Sequence, residues 1–140
     1  MSPNTLIREK IKEKIVDREM LTELSEKVEE QAQVVVHILY PAQAVPYAIR
    51  IWKCASLYSR SSTHCSKLLH ADNINIAPNW TDIDGQTPYT FTLFFEGFPK
   101  DVLIFDLHEK INEPGGFFFP SIIRNELDIY WIRGNSISAK

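Results

Sequence analysis

Two periodicities divide this chain near Gln33. Upstream, Leu6, Ile7, Ile11, Ile15, Leu21, Leu24 and Val28 recur at spacings near three and four, with charged residues between them. That is the spacing of one helix face. Neither Pro nor Gly occurs from Asn4 to Ala32, so residues 1–32 are expected to form a helical extension. The stripe slips between Val16 and Met20, where Asp17 or Thr22 offers an N-cap. One long helix and two shorter ones both fit. The stripe is narrow and needs a surface: the rest of the chain, a second copy or a partner.

From Gln33 onward the period becomes two. Val34–Tyr40 is β-branched and aromatic, the composition of a strand, and Pro41 and Pro46 bracket the loop after it. Tyr47–Leu57 is expected to be a strand with Ile49 and Ile51 on one face and Arg50 and Trp52 on the other. Ser59–Ser62 is expected to turn, Lys67–Ile76 to return as one strand or as two broken near Asp72-Asn73, and Pro78–Pro88 to be a loop around Asp84-Gly85. Tyr89–Phe95 alternates, with Phe91, Leu93 and Phe95 on one side. Val102–Leu107, Phe117–Ile123 and Leu127–Ile132 complete the set, and residues 134–140 read as a polar tail. About seven or eight short strands without a helical crossover predict an antiparallel, immunoglobulin-like β-sandwich over residues 33–133.

Composition narrows the function classes. In 140 residues, 44% are hydrophobic and 11% aromatic, enough to build a core without a metal or disulfide staple. Fifteen basic residues are outnumbered by 18 acidic ones, for a formal charge of −3, which argues against nucleic acid. No apolar run of the secretory-signal or membrane-spanning type occurs. Two cysteines, Cys54 and Cys65, are too few for a disulfide framework, although a pair facing each other across the 58–64 hairpin would be oxidisable. A cytoplasmic setting, no cofactor and no membrane span are the expectations.

Candidate chemistry is sparse. His64, Cys65, His70 and Asp72 carry donor types that zinc accepts. On an unbroken strand His64, His70 and Asp72 would share a face, but the tight ligand pair of a structural site is missing, so no metal is assigned. Neither cysteine follows a nucleophile elbow, and no catalytic residue is assigned. Asp106 and Glu109, like Asp82 and Asp84, are paired carboxylates with nothing to show that they flank one bond. Arg124 is expected to lock a structural corner through Asp128 or Asp106. Trp52, Trp80, Phe94 and Phe118 are expected to be exposed aromatics, the candidates for an interaction surface.

The runs Lys67–Ile74, Phe91–Lys100, Phe105–Glu109, Gly115–Phe117, Ile123–Asn125 and Asp128–Tyr130 resemble small, uncharacterised bacterial immunoglobulin-like (telokin-like) domains. The resemblance covers about residues 47–133. It implies a β-sandwich and carries no catalytic residue. The leading expectation is therefore a non-enzymatic protein-interaction or scaffold module, with a protein partner or a homo-oligomer joined through the N-terminal helix. The alternatives are a hydrolase or metal-dependent enzyme using a cleft near His70, Asp72 and Cys65, and a small-molecule or glycan binder using the exposed aromatics.

Overall fold

The computed structural model describes residues 33–134. The expected helical extension 1–32 and all but the first residue of the polar tail lie outside the described residues. Those described form nine strands: β1 (Gln33–Tyr40), β2 (Tyr47–Ile49), β3 (Ser56–Ser59), β4 (Cys65–Asp72), β5 (Thr81–Ile83), β6 (Tyr89–Glu96), β7 (Ile104–His108), β8 (Phe118–Ile123) and β9 (Ile129–Arg133). No helix occurs among them, and the described residues are mainly β. Alternation decides which side each strand buries. In β1, Val34, Val36, Ile38 and Tyr40 are buried while His37 and Leu39 are half-exposed. In β6, Phe91, Leu93 and Phe95 are buried. One residue of slip in either strand would turn that whole set to the other face.

Seven strands form one sheet in the order β8-β7-β3-β4-β6-β1-β9, and β2 pairs with β5 in a second, two-stranded sheet. β5 falls inside the stretch expected to be loop. Thr81-Asp82-Ile83 is too short to show a period, and it becomes a strand by pairing with Tyr47–Ile49. The expected strand Tyr47–Leu57 is divided by a turn in which the Ala55 amide donates to the Trp52 carbonyl (3.0 Å). Its face assignment still holds, since Ile49 and Ile51 are buried.

The sheet is mixed rather than wholly antiparallel, because β1 and β9 run parallel, with Val36 opposite Tyr130 and His37 opposite Trp131. A parallel pair needs a long connection, and here everything between the first and last described strands supplies it. The sheet also curls. Phe105 on β7 and Tyr130 on β9 are far apart in strand order, yet their rings are 5.0 Å apart. Phe117, just before β8, packs on Tyr40 of β1 and Phe91 of β6. Ile49 and Ile83 of the two-stranded sheet join the same core as the inner face of the large sheet. The core thus draws on both sheets.

Candidate functional site

The outer face carries three cross-strand pairs of a histidine with an aromatic ring. His37 on β1 stacks on Trp131 of β9 at 4.2 Å. His70 on β4 lies opposite Phe94 of β6, with rings 5.6 Å apart. His108 on β7 lies opposite Phe118 of β8, with rings 4.8 Å apart. His37 Nδ1 also hydrogen-bonds with Thr92 Oγ1 at 2.7 Å. Phe94 is half-buried there, whereas Phe118 is exposed. Trp131, which periodicity alone did not single out, is 70% exposed. Its signal was available in principle: it sits out of phase with the buried Tyr130.

The possible metal ligands are not brought together. A register shift between Leu68 and His70 puts a bulge into β4. A bulge inserts one residue and reverses parity beyond it. His64 therefore sits on the side of buried Ser66, hydrogen-bonded to its hydroxyl at 2.8 Å, while His70 faces outward. Cys65 stands opposite Tyr58, five residues from His70, roughly 16 Å at the rise of a strand. No group of three or more His, Cys, Asp or Glu side chains able to hold a metal occurs among the described residues. Cys54 and Cys65 are both free thiols. The register pairs Cys65 with Tyr58, four residues beyond Cys54, so the two cysteines do not face each other across the hairpin.

Trp52 and Trp80 are brought together, but around a cation. The Arg50 guanidinium lies 3.9 Å from the Trp80 ring centroid and 5.1 Å from that of Trp52. It also donates to the Pro78 carbonyl (3.2 Å) and to Glu113 (3.3 Å). One face of each indole is thereby occupied, which leaves less aromatic surface for a sugar than two free rings would. Beside this stack lies Glu109, only 3% exposed. Its carboxylate accepts the Trp52 amide (2.7 Å) and the Phe117 amide (3.2 Å). Burial pushes its pKa up, against the two amides and Arg50, which favour the charged form. Glu109 is thus a clasp joining the turn after β2 to the approach to β8, not half of a pair with Asp106, which points to the other side of β7.

The expected corner forms through one carboxylate only. Arg124 makes two parallel bonds to Asp128, Nε to Oδ1 and Nη2 to Oδ2, both at 3.1 Å. It also donates to the carbonyls of Pro99 and Val102. Tyr130 donates to Asp128 Oδ1 at 2.8 Å, and burial, with that carboxylate, raises the phenol pKa. Asp106 lies elsewhere. A second bulge, between Phe105 and Leu107, lets it accept the Ser121 amide (2.8 Å) and pair with Arg60 (3.0 Å). The Ser121 amide is the main cause holding its pKa below the usual value, with Arg60 adding to it.

Exposed apolar side chains flank Asp106 along the β7–β8 pair. Ile104 lies opposite Ile123, and His108 opposite Phe118. The Arg124 amide donates to the carbonyl of Leu103, the residue just before β7, at 2.8 Å. Ile123 is 75% exposed and Leu103 67%, and Ile104 and Phe118 are exposed too. No helix among the described residues is long and apolar enough to cross a membrane. No protein-family model matches the chain, and searches of curated proteins and of solved structures found no match either.

Proposed function

We propose that this chain is a non-enzymatic protein-interaction module whose β7–β8 corner binds an apolar face of a protein partner. The supporting observation is that Ile104, Phe118 and Ile123 are exposed on the paired strands β7 and β8. Large apolar side chains exposed together, rather than singly, mark contact surfaces. Arg60 and Asp106 lie between them and supply polar contacts for register. Fully burying an exposed side chain of this size contributes about 1.5–3 kcal/mol, which works against the entropic cost of association. The immunoglobulin-like assignment belongs to the same proposal. A mainly β chain with two sheets sharing one core supports it, and the parallel β1–β9 pair departs from the antiparallel form expected. The enzyme reading has less support, because His70, Asp72 and Cys65 do not converge. The glycan reading has less as well, because Arg50 occupies the indoles.

The test compares the full chain with Phe118→Ser/Ile123→Ser as bait in an extract of the native host. A partner held by the wild type and lost by the variant, with unchanged circular dichroism, is the expected result. The same proteins retained by both would remove the proposal.

A further inference from the structure

The hairpin of β7 and β8 is closed by a titratable rung. Its strand register ends with His108 opposite Phe118, so Glu109 and Phe117 are the next pair along. In an antiparallel ladder such a pair exchanges two main-chain bonds. Here the Glu109 amide donates to the Phe117 carbonyl at 2.8 Å. The Phe117 amide donates instead to the Glu109 side chain, to Oε1 at 3.2 Å. The other carboxyl oxygen accepts the Trp52 amide at 2.7 Å. One enclosed side chain therefore ties the end of β7 to the approach to β8 and to the turn after β2. The connection it closes, residues 110–116, contains Pro114-Gly115-Gly116. Its Glu113 is paired with Arg50 at 3.3 Å.

Burial sets the sense of the coupling to protons. Glu109 is 3% exposed, and a charge is better solvated in water than in such an enclosure. Burial raises the Glu109 pKa above 4.5, against the Trp52 and Phe117 amides and Arg50, while Glu113 adds to the rise. Tyr40 on β1 is a further titratable neighbour, a phenol whose own pKa is raised by burial first, then by Tyr47 and Glu109. His108 lies on the outward face against Phe118. The closed hairpin thus holds the Glu109 proton more tightly than an open one whose carboxyl meets water. By linkage, protons favour the closed form and rising pH favours the open one.

We propose that Glu109 is a proton-operated latch on the β7–β8 hairpin. Protonated, it holds the Trp52 and Phe117 segments together. Ionised, it turns to water and frees both amides, loosening the end of the hairpin that carries Phe118. The release is local and leaves the rest of the sheet folded. The latch stands on the hairpin's own bonds, whereas any control of partner binding by it rests on the reading of the β7–β8 corner as a contact surface.

Amide hydrogen exchange of the full chain, followed by NMR between about pH 5 and pH 8 and expressed as protection over the unstructured rate, tests it. Trp52 and Phe117 should be less protected than Leu93, at the centre of the sheet, at every pH. Their protection should fall at least about threefold as pH rises, with the same midpoint as the carboxyl carbon shift of Glu109. In Glu109→Gln the fall should vanish. Protection equal to that of Leu93 throughout, midpoints that differ, or the same fall in Glu109→Gln overturns the latch. Should Glu109→Gln not fold, the two wild-type comparisons decide alone. Exchange that behaves as expected, while Phe118→Ser/Ile123→Ser still holds the wild type's proteins, supports the latch and removes only the corner.

Discussion

Replacing Glu109 by Ala tests the clasp most directly. The carboxylate is almost wholly enclosed and accepts two backbone amides from segments far apart in sequence, Trp52 and Phe117. Alanine leaves both donors without that acceptor. Each unsatisfied buried donor costs about 1–3 kcal/mol, so the expected loss for the two is about 2–6 kcal/mol. For a domain of this size each kcal/mol moves Tm by roughly 4–8 °C, and thermal unfolding at neutral pH followed by tryptophan fluorescence will read it. Glu109→Gln separates charge from hydrogen bonding, since it keeps one acceptor and drops the ion. The pH dependence has a definite sign. Because the folded-state pKa is raised above the ordinary glutamate value of 4.5, the folded state binds more protons between those two values. The Glu109 contribution therefore favours folding below 4.5 and is lost as pH rises through the raised pKa. Measured as wild type minus Glu109→Gln, stability should fall with rising pH across that window. A loss below about 0.5 kcal/mol in Glu109→Ala, the size of an ordinary surface substitution, would refute the clasp.

Other outcomes follow from the same geometry. A double-mutant cycle on Arg124→Ala and Asp128→Ala should give a coupling of about 1–3 kcal/mol in urea unfolding, above the usual surface pair because the contact is bidentate and partly enclosed. Arg124→Lys should recover little of it. Gly134→Ala should lower Tm by an amount equivalent to about 1–3 kcal/mol, because the added carbon meets the Tyr40 ring. Gly85→Ala should be at least as damaging, since φ is +79° and the carbon overlaps the Val45 carbonyl. Thiol titration of the folded chain should find Cys54 reacting faster than the half-buried Cys65, and mild oxidation should yield no internal disulfide.

Strand identity and face were legible wherever the period of two ran long enough. Val34–Tyr40 and Tyr89–Phe95 show it, because alternate burial writes itself into alternate residues. The Arg124–Asp128 corner was legible too, since both partners flank a single turn. The three-residue strand β5 was not, because Thr81–Ile83 is shorter than any period and exists only through its partner. Neither bulge was legible. Each inserts one residue without a distinguishing side chain, yet one of them places His64 and His70 on opposite faces and so disperses the donor set that composition had suggested.

What the amino-acid order determined by itself was the mainly β character of residues 33–134 and the inward set of Val, Ile, Leu and Phe. Solvent exclusion acts on each strand locally, and the pattern records it. Which strands meet was decided only by the tertiary structure. The parallel return of β9 to β1, the curl that brings Tyr130 to Phe105 and the burial of Glu109 all depend on contacts between residues distant in sequence. No local pattern carries that information, because the free energy of such contacts resides in the pairing and not in either partner alone.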